Sequence, residues 1–313
     1  AHMYIITGDF ANAQKHNAEA LKADASNSVA RYQRILLRVI RGDIDDHPGE
    51  NMAAELSDLA LFLPDSPEVP TLAGRLYELR MQYGEAIAAY MTAIKIMPSY
   101  PPSSFLLAAL HIENRVYDNA FKVLWRLADY SPDYWEQHPQ KRLLADLDGA
   151  GGRLLGLLAK IEKYEVDIDE LNFLSGLAAY IDGNRKSAAG YFRAVLKNNP
   201  EHAKAASWLA WIYVHENRSS EALALLHKIK TSDSQTAYLK ALVKHNGMTT
   251  EERLDLWENF IRSGNRHPGA YIKLAGLYHR LGNHSKAVDM AQAAFRLDPE
   301  SLETRSTLYV VGK

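Results

Sequence analysis

EVPTLAGRLYELRMQYGEAIAAYMTAIKIMP, residues 68–98, contains the rule by which the rest of the chain is organised. Apolar residues over 68–81 are spaced by three and four, the period of one helical face. Tyr83-Gly84 interrupts that pattern, residues 85–97 resume it, and Pro98 stops it. Proline lacks a backbone N–H and disfavours helix in the residue before it. The stretch therefore predicts two helices joined by a short turn and closed by Pro98.

Outward from this stretch the same positions recur. Pro64, Pro98, Pro132 and Pro200 are separated by 34, 34 and 68 residues. Ala86, Ala120, Ala188 and Ala222 are separated by 34, 68 and 34. A third column is small throughout: Gly74, Ala108, Gly176 and Ala210. A fourth is large and apolar: Tyr90, Leu124, Leu158, Phe192 and Leu226. Small residues are needed where two helices cross closely, and large ones fill the space between neighbours. A fixed period of this length marks a stacked repeat, in which each unit buries its apolar face on the next.

The last full copy is the clearest: Tyr271, Leu274, Ala275, Tyr278, Gly282, Ala287, Ala294 and Pro299. With Gly74, Tyr77, Ala86, Tyr90, Ala93 and Pro98 in the copy from 67, the pattern resembles the tetratricopeptide-repeat consensus over nearly the whole chain. The resemblance implies an all-α, right-handed superhelical solenoid of antiparallel helix pairs, without β-sheet. It implies little about the partner.

Departures from the period suggest an organisation in three parts. Residues 1–134 form N-terminal units, the first incomplete, since Gly8 to Leu21 reads as a second helix and Met3 to Thr7 as a stump of the first. Residues 135–168 keep the phase but lose the consensus, with Arg142 in the small column and Leu154 in the alanine column. Three glycines near 149–152, after Asp148, and the run Trp135-Glu136-Gln137-His138-Pro139 make this stretch a candidate joint between two halves. Residues 169–313 form C-terminal units, the last incomplete. Both ends read as cuts through a longer array, so the expectation is a fragment of a larger bacterial protein.

Composition narrows the function classes. The 313 residues carry a formal net charge of −2, with 47% hydrophobic residues. No concentrated basic face attracts nucleic acid, which is not expected as a partner. The chain has no cysteine, so disulfides, thiolate metal sites and thiol catalysis are excluded. No apolar run approaches the roughly 20 residues that span a bilayer, so direct membrane insertion is not expected. Ala1-His2-Met3 resembles a cloning remnant, and the compartment, periplasm or cytoplasm, stays open.

No catalytic motif is found, and the expectation is a non-enzyme without cofactor or metal. Asp148-Gly149-Ala150-Gly151-Gly152 lacks the lysine and the preceding strand of a phosphate loop. Asp43, Asp45, Asp46 and Glu50 suggest calcium, but Pro48 stands where the calcium loop needs glycine. His279 and His284 are five apart, poor spacing for one helical face.

Aromatic residues on the first helices stand above this background. In the family resembled, the first helix of each unit lines the groove. That face would carry Phe173, Leu177 and Tyr180, then Trp208, Trp211 and His215, then Tyr238 and Leu242. Trp208 and Trp211 have two readings, partner contact or packing between units. Relatives that clamp a carboxylate tail use Lys, Asn and Arg on these helices; here the slots hold Thr71, Phe105, Pro139, Phe173 and Ser207, so that clamp is not expected. The roles left open are a scaffold holding a protein or peptide segment in its groove, a self-assembling module, a periplasmic scaffold of an exopolysaccharide or protein secretion machine, and a regulatory arm of an enzyme.

Overall fold

A computed structural model describes residues 2–46, 51–137, 149–161, 166–229, 233–245 and 247–312. The structure is 76% helical, and no strand occurs among the described residues. The chain divides into two compact units: Ala1–Asp129 with Lys141–Glu162, and Tyr130–Gln140 with Lys163–Lys313.

Unit 1 holds α1 (His2–Ile6), α2 (Phe10–Ala23), α3 (Ser28–Ile40), α4 (Met52–Phe62), α5 (Glu68–Leu79), α6 (Tyr83–Ile96), α7 (Pro101–Glu113) and α8 (Tyr117–Leu127). Unit 2 begins with α9 (Pro132–Gln137), and the chain then returns to unit 1 for α10 (Ala150–Leu158). The rest of unit 2 is α11 (Ile168–Ile181), α12 (Arg185–Asn198), α13 (Ala203–His215), α14 (Ser219–Lys228), α15 (Ser234–His245), α16 (Thr250–Arg262), α17 (Pro268–Arg280), α18 (His284–Leu297) and α19 (Leu302–Val311). The pairs α5/α6, α7/α8, α11/α12, α13/α14, α15/α16 and α17/α18 are the antiparallel helix pairs of the repeat. The stretch 135–168 is therefore shared, α9 going to unit 2 and α10 to unit 1. Arg142, His138-Pro139 and residues 146–148 of the expected joint lie outside the described residues, as do His47-Pro48-Gly49-Glu50 of the acidic turn.

The recurring columns meet in the core. Ala86, Ala120, Ala188 and Ala222 have no solvent exposure, and Leu154, standing where alanine recurs, is equally buried. Two of the small residues, Gly74 and Gly176, face the large residue of their own pair. A Cβ on Gly74 would stand 2.6 Å from the Tyr90 ring, and one on Gly176 2.7 Å from Phe192. The pair α5/α6 turns at residues 80–82, so Tyr83-Gly84 opens α6 rather than breaking the pattern.

A second periodicity lies in the backbone. Met81, Arg115, Gly149, Gly183 and Asn217 all have φ between 58° and 91°, and they follow one another at the repeat period. In four of these turns the next N–H bonds back five residues to close the helix end: Gln82 to Tyr77, Val116 to His111, Asn184 to Ala179 and Arg218 to Tyr213, all at 2.8 Å.

Ionic contacts fasten unit 1. Glu78, nearly buried on α5, accepts from Tyr90 Oη (2.7 Å) and Arg75 Nη1 (3.2 Å). Arg153 of α10 places Nη1 2.5 Å from Glu78 Oε1, an ion contact off hydrogen-bond alignment, and donates Nη2 to Glu113 Oε2 at 2.7 Å. In the acidic turn, Asp43 pairs with Arg38 (2.9 Å), and Asp46 accepts from the Met52 N–H and Arg80. Those two donors hold the Asp46 carboxyl below the usual range.

Candidate functional site

Of the seven residues expected on the groove, six are buried, Trp211 (6% exposed) and Tyr238 (5%) among them, and His215 is exposed. Phe173, Leu177 and Tyr180 on α11 have no solvent exposure, and Trp208 on α13 has 2%. Tyr180 meets Trp208 edge-on with centroids 5.0 Å apart, and Phe192 of α12 lies 5.9 Å from Trp208 and 5.8 Å from Phe173. These four fill the interior instead of presenting a surface. A helix end crowded by rings from both neighbours leaves them no route to solvent, and they support the face from beneath.

Trp211, His215 and Tyr238 do come together. They line a cavity of about 570 Å³ in unit 2, with Leu242 of α15, Asp133 and Glu136 of α9, Lys273 of α17 and Glu303 of α19 among the other walls. His215 stacks obliquely on Trp211, centroids 4.3 Å apart, and its Nδ1 lies 3.0 Å from the Trp211 carbonyl. The buried Trp211 Nε1 has no hydrogen-bond partner among the described residues.

One wall is organised by Asp133, which sequence reasoning passed over. Its Oδ2 lies 3.1 Å from His267 Nε2 and its Oδ1 accepts from Gln235 Nε2 at 3.0 Å. His267 caps α17, its Nδ1 accepting the Gly269 N–H at 3.2 Å. A nitrogen that accepts carries no proton, so Nε2 bears the hydrogen and donates between Gln235 Oε1, at 2.9 Å, and Asp133 Oδ2. Burial pushes the Asp133 carboxyl up, but the hydrogen bonds from His267, Ser131 and Gln235 hold the group below its ordinary value. Tyr238 stacks on His267 at 3.8 Å, and burial, then Asp133 and Glu303, raises its hydroxyl well above the usual phenol.

The other end of α9 is held by Glu136, whose Oε1 accepts from Tyr180 Oη (2.6 Å) and Arg185 Nη2 (2.8 Å). Tyr180, Gln235 and His267 stand on or cap the first helices α11, α15 and α17. Sequence gave little sign of this: Gln235 and His267 are 32 residues apart, off the period, and Asp133 follows an ordinary repeat proline.

The clamp positions Thr71, Phe105, Phe173 and Ser207 are buried, Thr71 Oγ1 sharing a hydrogen bond with Ser103 at 2.5 Å, and Pro139 lies outside the described residues. Among the described residues no group of three His, Asp or Glu side chains is placed to hold a metal. No described helix is long and apolar enough to cross a membrane.

With the repeat and this face in place, family models described as tetratricopeptide repeat match residues 179–245 and 268–301. These matches and the helix-pair architecture support a tetratricopeptide-repeat fold for the chain, the repeat of protein-interaction scaffolds. No curated protein matches it. Similar solved structures include the Cut9–Hcn1 hetero-tetramer of the APC/C (11% identity, 97% of this chain and 53% of that one, TM-score 0.41). Others are Pseudomonas aeruginosa pilF (15%, 91% and 97%, 0.32) and a tetratricopeptide repeat protein from Parabacteroides merdae (9%, 100% and 96%, 0.32). The chain thus spans about half the length of the Cut9–Hcn1 chain it matches. At such identities and scores the likeness carries nothing about partner or role.

Proposed function

We propose that unit 2 is a docking module that holds a segment of a partner protein on its first-helix face, with the cavity beside Trp211, His215 and Tyr238 as the anchor point. The observation that supports this is the cavity itself. Its volume of about 570 Å³ lies in the range of sites that enclose a side chain or a small ligand. Its walls combine apolar and aromatic side chains, Trp211, Tyr238 and Leu242 among them, with at least as many polar and charged ones.

The test is affinity capture with the full chain as bait, comparing the parent with Leu242→Glu, which puts a charge on the cavity wall, and with Leu61→Glu on the exposed side of α4. A partner retained by the parent and by Leu61→Glu but lost by Leu242→Glu, at unchanged melting temperature, supports the reading. A partner retained equally by all three overturns it.

A further inference from the structure

We propose that α9 is a built-in occupant of this face, and that the partner presents the same chemistry: a short, acidic, aromatic helical segment with two carboxylates one turn apart. The inference rests on the docking face proposed above and names what that face recognises.

The argument begins with where the contacts on α9 come from. Asp133 and Glu136 are three residues apart, so they share one side of the helix. Asp133 takes hydrogen bonds from Gln235 and His267, and Glu136 from Tyr180 and Arg185. The Tyr180 hydroxyl also reaches the Pro132 carbonyl at 3.4 Å. The donors thus come from three repeats, the pairs α11/α12, α15/α16 and α17/α18, and the acceptors from one six-residue helix that precedes them all. All of these donors act on carboxylates or a carbonyl. Burial makes that specific: Asp133 and His267 are 4% and 6% exposed, so an apolar segment in the place of α9 would strand Gln235 Nε2 without its acceptor, while His267 Nε2 would keep Gln235 Oε1 at 2.9 Å. The face is built for carboxylates.

The seat of α9 is tight at one end and open at the other. Asp133 is enclosed, whereas the Glu136–Arg185 pair is partly solvated, with side-chain exposures of 24% and 44%. The large cavity runs beside both carboxylates. An incoming acidic helix therefore has room to settle against Trp211 and Tyr238 and to take over Arg185 and Tyr180 before it displaces Asp133.

The experiment uses the full chain and a fluorescein-labelled peptide of residues 131–137, Ser-Pro-Asp-Tyr-Trp-Glu-Gln, with blocked ends. The double variant Asp133→Asn/Glu136→Gln weakens the hold on α9 while leaving every donor in place. The labelled peptide is expected to bind this variant about tenfold more tightly than the parent, because the competing occupant is released more often. A peptide with Asn and Gln in place of its carboxylates is expected not to bind. In the parent, hydrogen exchange of the α9 amides is expected to speed up when unlabelled peptide is added, with the amides of α13 unchanged. Absence of peptide binding to a variant that keeps the parent's helicity overturns the inference and makes α9 a structural brace. Should the variant lose helicity, exchange in the parent decides: α9 amides indifferent to excess peptide overturn it equally. Failure here while Leu242→Glu still abolishes partner capture removes this inference and leaves the docking face standing.

Discussion

Gly176 of α11 lies so close under the Phe192 ring of α12 that a methyl group there would stand 2.7 Å from Cε1. In an open helix interior, Gly→Ala is worth up to about 1 kcal/mol of added stability. Gly190, on the exposed side of α12 with no atom within 4 Å of a built Cβ, is such a place. Gly176→Ala is expected to reverse the sign, overpacking the pair at a cost of about 1–3 kcal/mol. Urea melts of the two variants check this, and shifts of the same sign would contradict the packing described.

Met81 and Arg115 occupy the left-handed turn that Gly183 occupies in a later repeat. Left-handed backbone costs non-glycine residues roughly 1–2 kcal/mol, while glycine loses more entropy on folding. Met81→Gly and Arg115→Gly are each expected to stabilise the chain by up to about 1 kcal/mol, and Gly183→Ala to destabilise it by a similar amount. Calorimetric melting temperatures give the comparison; no gain for either glycine variant would show the turns to be unstrained.

Arg153 ties α10 to Glu78 and Glu113 within unit 1. Arg153→Met should cost about 1.5–3 kcal/mol, the worth of hydrogen bonds to charged groups, because Glu78 stays buried with only Arg75 and Tyr90 beside it. Glu113→Gln, at an exposed carboxylate, should cost under about 1 kcal/mol. Hydrogen exchange across 150–158 should accelerate in the first variant alone.

His245 accepts the indole N–H of the buried Trp257 at 2.9 Å. Burial, then Arg253, Lys273 and Arg280, lowers its pKa to about 4. An unfolded histidine titrates near about 6.5. Between those values the unfolded chain takes up a proton that the folded chain refuses, so stability falls as pH drops from 6.5 towards 4 and is fully present above that window. The urea midpoint should therefore decline from pH 7 to pH 5. His245→Gln keeps an acceptor for Trp257 without a titrating group and should flatten the decline; an unchanged slope would assign it elsewhere.

The repeat was legible because packing at a helix crossing demands a residue size, and size is written in sequence: Gly74 against Tyr90 and Gly176 against Phe192 stand at a fixed spacing. The left-handed turns were not legible, because the hydrogen bonds that impose them act on the backbone and tolerate methionine and arginine at Met81 and Arg115. On the face, helical spacing grouped Trp211, His215 and Tyr238, which line one cavity, with Trp208, which the Tyr180 and Phe192 rings enclose. Asp133 was invisible because its partners, Gln235 and His267, lie more than one hundred residues away, a relation no local pattern encodes.

Trp211 carries the central claim, since it lines the cavity. With a captured partner in hand, affinity and melting temperature are to be measured together for Trp211→Ala. A hot-spot tryptophan is worth about 2–4 kcal/mol of binding, roughly thirty-fold or more in Kd. The account predicts that loss of affinity in protein whose helicity matches the parent at the assay temperature. A variant whose folded fraction binds with parental affinity, and whose only change is a large drop in melting temperature, would contradict it and leave Trp211 as core packing.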